Sequence, residues 1–440
     1  VEGFGKFSIA IFYFELFVSL AGTAVGILLT REMAKNPDRL PSLLGSSFTL
    51  STILCLLSPL AMIPIGMGFN YSPDTVQAMW VGCLALIPAT LAVVMEAVFV
   101  ADQRAEFVTA GTTIEALVRI AISFLVLSMG ASFVAVIWVL VLSRCLLLLI
   151  YVFNARKLGR FGFALRWTEF KSFISEWRIF AAENWMATIY TSLDVLILSY
   201  VAGEVAVGLY SAAWKLVRLG TVFAKSYTTA VFPVMSRLFG DSDKRFGTLY
   251  RQTIRVMSLG AIPAAVVVGV LADRIMGLLF EEDYSAAVPI LRVLIWVMLP
   301  EFLNPFLSHA LFARGEQAKS MRVAAISLVF NAAATMALVH TYGASGAAFA
   351  TVVSGLLATG CYMLFLMSRN EIQDVLKNFL RVALASLGVG YLLFNLQDNS
   401  WIAISAAGLA SYLVLLILFQ GIRWDELLRI KSELFQPRTS

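Results

Sequence analysis

The sequence predicts an all-α, polytopic membrane protein, and three observations predict it. Of 440 residues, 60% are apolar and only 14% charged, against about 25% charged in an ordinary soluble domain. The mean hydropathy is +0.83. The apolar residues gather into runs of the length, about 20 residues, at which a helix crosses the hydrocarbon core. Backbone groups in lipid must be satisfied within their own segment, so these runs are helices; barrel strands would alternate polar and apolar side chains.

Thirteen runs qualify. They lie at 7–29, 43–67, 77–100, 107–128, 132–153, 173–201, 206–236, 252–271, 287–312, 322–341, 346–367, 379–396 and 400–420. Lys and Arg set their direction. Of 33 such residues, 25 fall on alternate connections, from Arg31 and Arg39 through Arg104, Arg156 and Arg166 to Arg423 and Arg438. The opposite connections hold Lys6 and Arg274 beside an acidic stretch, Glu281 to Asp283. By the positive-inside rule the basic side and the C-terminus are cytoplasmic, in a multi-pass protein of the cell membrane. Dispersed in this way, the net charge of +5 makes no clustered basic face for nucleic acid.

Thirteen crossings ending inside place Val1 outside. A chain that opens at once into Glu2-Gly3-Phe4-Gly5 is then expected to follow one further helix encoded upstream, fourteen in all. The chain also resembles itself. Gly5-Lys6-Phe7-Ser8-Ile9-Ala10 recurs as Gly208-Leu209-Tyr210-Ser211-Ala212-Ala213, and Gly130-Ala131-Ser132 as Gly343-Ala344-Ser345. Each pair is separated by an even number of crossings, so two six-helix lobes share one orientation in a parallel pseudo-repeat, a transporter architecture with its site between lobes near the midplane. The expected divisions are 1–153, the N-terminal lobe short of its first helix; 154–171, a basic cytoplasmic linker; 172–367, the C-terminal lobe; and 368–440, two additional helices and a cytoplasmic tail.

Five stretches carry a family resemblance that covers nearly the whole chain. They are the opening EGFGKFS with Thr30 to Ala34 (TREMA), Ser192 to Leu198 (SLDVLIL), Val207 to Phe239, Tyr284 to Leu294 (YSAAVPILRVL) and Tyr342 to Ala348 (YGASGAA). In their order and spacing they resemble the polysaccharide transporters, the Wzx-type lipid-linked oligosaccharide flippases of the MATE-like multidrug/oligosaccharidyl-lipid/polysaccharide superfamily. The resemblance implies two six-helix lobes around a cavity that opens to alternate sides. It implies passage of polyprenyl-pyrophosphate-linked glycans from the cytoplasmic to the outer leaflet for surface polysaccharide synthesis. The expected partners are that lipid-linked glycan, membrane lipids and other polysaccharide-assembly proteins.

Charges inside spans are costly and mark sites or pairs. Lys215, Arg218 and Lys225 fall within about 80° on one helix face, and such a stripe must meet water, acids or substrate. Two readings stay open for it: contact with a pyrophosphate, whose geometry suits the Arg fork, or structural neutralisation by Glu183 and Asp194 one helix earlier. Glu115 and Arg119, at i and i+4, are spaced for a mutual salt bridge. Arg144 has no acid in its own span and is a cavity candidate. Arg31, at the cytoplasmic mouth, is placed to meet phosphate or simply follows the positive-inside rule. Glu301, between Pro300 and Pro305, is a candidate for a coupling ion or sits on a simple kink. His309 and His340 read as packing residues, and the four cysteines as small buried ones.

Catalysis finds little support. Asp241-Ser242-Asp243 has a metal-binding D-x-D spacing but lies on a short connection with no α/β domain around it, and no Walker lysine pattern occurs. No metal or cofactor is expected. A glycan polymerase or ligase would want a long outer loop, and the outer connections are short. A cation-coupled multidrug exporter of the same superfamily would favour acids in its cavity, against the Lys215–Arg218–Lys225 stripe.

Overall fold

The computed structural model describes residues 1–395 apart from 36–38, 70, 158, 160–161, 242 and 281; at some further helical positions, among them Glu183, Lys225 and 229–250, only the backbone is described. The expected span at 400–420 and the tail after it lie outside these residues.

Helix is the only regular structure among the described residues, as a chain that must satisfy its own backbone in lipid requires. The elements are α1 (Glu2–Val18), a π turn (Ser19–Thr23), α2 (Ala24–Lys35), α3 (Leu40–Gly68), α4 (Pro73–Ala101), α5 (Ala105–Ser128), α6 (Phe133–Lys157), α7 (Trp167–Asp241), α8 (Asp243–Val270), α9 (Ala272–Leu279), α10 (Ala287–Leu294), α11 (Met298–Ala313), α12 (Gln317–Leu366) and α13 (Arg369–Asn395). Ten stretches among the described residues are long and apolar enough to cross a membrane. The sequence reading drew twelve over the same residues. The difference comes from two pairs of runs that continue through a bend, one in α7 and one in α12. Gly203 (φ 78°, ψ −174°) bends α7 and Gly343 (φ 55°, ψ −134°) bends α12. Both conformations cost a side chain dearly, so each run breaks at its glycine.

The chain divides into two compact units, Val1–Gly208 and Leu209–Ser440. In the first, α4 is the central helix and packs against α1, α2, α3 and α6. Its Ala78, Ala85, Ala89 and Ala92 are all buried. Between helices in lipid there is no hydrophobic driving force, so close approach over small residues supplies the attraction. Larger side chains fill the space around them: Leu28, Leu44, Val98, Phe173 and Trp177 in one cluster, Met95, Phe99, Leu147 and Tyr151 in another. At the edge, α5 turns Leu117, Ile120 and Phe124 outward, as a lipid-facing helix does. In the second unit α8 packs on α11 and α13, and α12 on α10 and α11. Gly346 and Gly355 serve close packing there: a Cβ at Gly346 would lie 2.4 Å from the Leu338 carbonyl oxygen, and one at Gly355 2.8 Å from the Pro300 ring.

The basic end of the first unit is fastened by the segment that leads into α7. Its Ala164 N–H donates to the Pro41 carbonyl at 2.9 Å, over a glycine, Gly45, whose Cβ would meet the Ala164 oxygen at 2.3 Å. Phe163 packs edge-on against Phe48. Glu169 lies 3.7 Å from Arg39 and 3.5 Å from Arg166. The Ser42 hydroxyl, and then these two guanidinium groups, hold the Glu169 carboxyl below its ordinary value of 4.5.

Candidate functional site

Two groups of charged side chains stand within membrane-crossing helices, one in each unit. In the first unit, Glu115 of α5 is buried at 3% exposure. One of its oxygens accepts the Ser143 hydroxyl of α6 at 2.7 Å. Arg119 Nε lies 3.1 Å from that same oxygen but off the hydrogen-bonding direction, so this contact is an ion pair. The pairing read from the i, i+4 spacing is present. Arg144, next to Ser143, sits with its guanidinium 5.8 Å above the Phe14 ring of α1. Its Nε is buried and has no acceptor among the described residues. Glu115, Arg119 and Glu15 are all close enough to act on it electrostatically. Two guanidinium groups thus share one buried carboxylate, and the second is held by an aromatic face instead of an acid. A buried N–H without a partner costs about 1–3 kcal/mol, so Arg144 carries an unmet polar group inside the span.

Arg31, on α2 at the basic end, is already engaged. Glu176 of α7 stands 3.7 Å away, Glu32 3.9 Å, and the Phe180 ring 5.4 Å. The π turn between α1 and α2 lies one span-half away. A π turn releases carbonyls from the regular ladder, and α7 takes them up: Asn184 Nδ2 donates to the Ser19 carbonyl at 3.1 Å and Trp185 Nε1 to the Leu20 carbonyl at 2.9 Å. Asp194, further along α7, is buried, and its carboxylate accepts the Val195 N–H at 2.9 Å. The Glu183 side chain lies outside the described residues.

In the second unit Lys215 and Arg218 are exposed on one face of α7, with Arg218 5.9 Å over the Trp214 ring. Lys225, the third member of the stripe, has no described side chain. Behind them Tyr210, fully buried, shares a 3.2 Å hydrogen bond with Thr351 of α12. Glu301 is exposed in the first turn of α11. The polar side chains that follow it are used in packing. Asn304 donates to the Gly355 carbonyl at 3.1 Å and accepts the Thr359 hydroxyl at 2.7 Å, and Asn331 donates to Ser354 at 2.9 Å. Arg292 is ion-paired with Asp273. No group of three or more His, Cys, Asp or Glu side chains that could hold a metal occurs among the described residues.

At the end of the first unit away from the basic connections, one acid absent from the sequence reading is fully employed. Glu204 follows the bend at Gly203, and its Oε1 accepts from the Ser72 N–H (2.9 Å), the Ser72 hydroxyl (3.1 Å) and the Thr75 hydroxyl (2.6 Å) at the start of α4. Beside it, Tyr13 is hydrogen-bonded to Tyr71 at 3.1 Å and Tyr71 donates to Ser199 at 2.8 Å. The sequence held no signal for these contacts, which join residues more than 50 positions apart.

Comparison with known proteins fits this arrangement. Residues 1–239 match the family described as polysaccharide biosynthesis protein, and residues 138–412 the family described as lipid II flippase MurJ. A probable low-salt glycan biosynthesis flippase of Haloferax volcanii, Agl15, is 24% identical over 242 residues, 53% of this chain and 51% of that protein; the chain spans about half the length of the curated relative it matches. Among solved structures, a lipid II flippase MurJ in an inward closed conformation superposes with a TM-score of 0.79 at 16% identity, covering 94% of this chain and 92% of that one. A multidrug resistance MATE family transporter in an inward-facing conformation gives 0.71 at 16% identity, over 86% and 93%.

Proposed function

We propose, from the premise that this chain belongs to the MATE-like polysaccharide flippase family, that it works as a flippase for polyprenyl-pyrophosphate-linked oligosaccharide. The glycan passes from the cytoplasmic to the outer leaflet by alternating access, with no bond made or broken. The basic connections face the cytoplasm of a cell-membrane protein, as does the C-terminus. Thirteen crossings, read as two six-helix lobes with two further helices, complete the architecture. The lobes are 1–153 and 172–367, joined by 154–171 and followed by 368–440.

The observation that carries the reading is Arg144. A guanidinium inside a membrane-crossing helix, with a buried N–H lacking an acceptor among the described residues and an aromatic face beneath it, has the chemistry to meet a phosphoryl oxygen. Lys215, Arg218 and Lys225 supply further positive charge on α7, while Arg119 and Arg31 come to the substrate only by leaving Glu115 and Glu176. Glu115 then tunes the charge of the first group, and Asp194, Glu183 and Glu301 are left for charge pairing or ion coupling. A polyanionic head group is a better match for this set than an organic cation.

The test is leaflet exchange of a fluorescent polyprenyl-pyrophosphate glycan in liposomes that hold the whole protein. Exchange well above that of empty liposomes is expected. Arg144→Gln should slow it about tenfold or more, the weight of one charge-assisted phosphate contact, and Arg144→Lys should fall between. Exchange equal to empty liposomes, or transport of organic cations instead, would overturn the proposal.

A further inference from the structure

We infer that the connection between α6 and α7 is a seat for anionic phospholipid in the leaflet on the basic side: Lys157, Arg166 and Lys171 meet phosphate headgroups, and Phe163, Leu165 and Trp167 enter the apolar boundary beneath them. The inference needs only that the chain crosses a membrane. It therefore goes beyond the transport reading without resting on it.

Residues 153–171 carry Arg156, Lys157, Arg160, Arg166 and Lys171 against one acid, Glu169. The positive-inside rule accounts for such charges. It gives no reason for the large apolar side chains set among them. Phe163, Leu165 and Trp167 are 60%, 46% and 63% exposed. In water this row stays uncovered, whereas at the edge of a bilayer lipid covers it.

The row is held in place. Residues 162–166 are not helical, yet the Ala164 N–H is bonded to the Pro41 carbonyl and the Phe163 ring stands 6.4 Å from that of Phe48. Phe48 packs in turn against the cluster that contains Tyr151 and Ala155, in the last turns of α6. A fixed backbone, fastened to the end of a membrane-crossing helix, thus displays the three apolar side chains.

The face of α6 shows where the bilayer lies. Its exposed residues Trp138, Leu142, Cys145, Leu149 and Phe153 recur every three or four positions, the spacing of one helix face. That stripe has no charge and faces hydrocarbon. Lys157, one turn beyond Phe153, continues it, and its ammonium lies 4.4 Å from the centre of the Phe153 ring. The first charge on the stripe therefore stands where hydrocarbon gives way to headgroups, with its stem along the apolar surface. Lys171 repeats the pairing, 5.6 Å over Trp167, whose ring lies 5.5 Å from that of the buried Phe170. Trp and Lys are side chains suited to that boundary. Arg166 is exposed and 3.5 Å from Glu169, which also lies 3.7 Å from Arg39. One carboxylate is thus divided between two guanidinium groups, and the patch keeps a positive excess that an anionic surface complements. An acidic soluble partner would match the charges but not the lipid-facing stripe that runs into them.

The test places an NBD fluorophore at Leu165→Cys in the whole protein, with the four native cysteines replaced. Nanodiscs of phosphatidylcholine receive a rising fraction of phosphatidylglycerol that carries a nitroxide on its acyl chain. Quenching should saturate, and the half-saturating fraction should rise about fivefold for each of Lys157→Gln, Arg166→Gln and Lys171→Gln, the weight of one cation near an anionic surface. Lys171→Arg, which keeps the charge, should leave it unmoved. The same curve with nitroxide-labelled phosphatidylcholine would overturn the preference for anionic lipid. A fluorophore reached by soluble iodide and by neither lipid would overturn the seat and give the row to a soluble partner. A second measurement uses the unlabelled protein. Released from micelles into a mass spectrometer, it should retain phosphatidylglycerol over phosphatidylcholine, and the triple Gln variant should not; equal retention of both lipids by the parent would refute the inference even if the labelled variant failed to fold. Neither measurement involves the glycan, so a protein that flips nothing can still bear the seat out, and a flippase can still refute it.

Discussion

Replacing Glu115 with Ala removes the one buried carboxylate between Arg119 and Arg144. The Ser143 hydroxyl loses a 2.7 Å acceptor and Arg119 an ion-pair partner at 3.1 Å. A hydrogen bond to a charged group contributes about 1.5–3 kcal/mol. The ion pair adds less, because the Arg119 side chain is 39% exposed and its charge is correspondingly screened. The remaining cost is the uncompensated charge on two guanidinium groups close to each other. Together these give a loss of about 2–4 kcal/mol. Glu115→Gln keeps a hydroxyl acceptor and the shape, and should cost about half as much. Glu115→Leu with Arg119→Leu removes both charges and should recover most of the loss, since a buried pair exchanged for apolar groups is close to neutral. The assay is reversible unfolding in mixed micelles followed by tryptophan fluorescence, read as a double-mutant cycle. Glu115→Ala as stable as the parent, or a double variant no better than Glu115→Ala, would refute the reasoning.

Two further outcomes are expected of the first unit. Tyr71→Phe breaks the Tyr13–Tyr71–Ser199 chain and leaves Ser199 without its donor, at a cost of about 1–2 kcal/mol in the same unfolding assay. Glu169 titrates below its ordinary value, so its contribution is present above that value and is lost as pH falls through the lowered one. Hydrogen exchange at Ala164, corrected for the intrinsic pH dependence, should therefore lose protection on acidification below the ordinary carboxyl value of 4.5. Glu169→Gln should already be loosened at neutral pH and show no such step.

Much of this arrangement was legible in residue order alone. The gaps that hydropathy left at 201–206 and 341–346 coincide with the bends at Gly203 and Gly343, because a glycine between apolar runs is both a hydropathy dip and a conformational licence. Glu115 and Arg119 could be paired because they are one helical turn apart. The resemblance to the flippase family, drawn from five short stretches, agrees with the families that the chain matches.

What residue order withheld is whatever depends on two helices meeting. Arg144 was singled out for lacking an acid in its own span, but its seat over Phe14 joins residues 130 positions apart. Arg31 read either as a phosphate contact at the mouth or as a residue that follows the positive-inside rule, and neither reading foresaw Glu176 and Phe180 of α7 beside it. Glu204 went unremarked in the sequence, and only the fold sets it on the N-terminus of α4. Local spacing reports one helix face, and tertiary partners leave no trace in it.

The five-residue π turn at Ser19–Thr23 works as a screw thread cut into the first span. A π turn adds one residue to an otherwise regular helix, and each residue turns the register by 100°. Everything beyond it, Arg31 included, is therefore rotated by that angle against Phe14 and Glu15 on the near side. Deleting a single residue from the turn would restore a plain helix and swing Arg31 away from Glu176 and Phe180, while leaving Phe14 under Arg144. One position in the chain thus sets the azimuth of the basic mouth independently of the charge group deeper in the bundle, and lineages could retune one without disturbing the other.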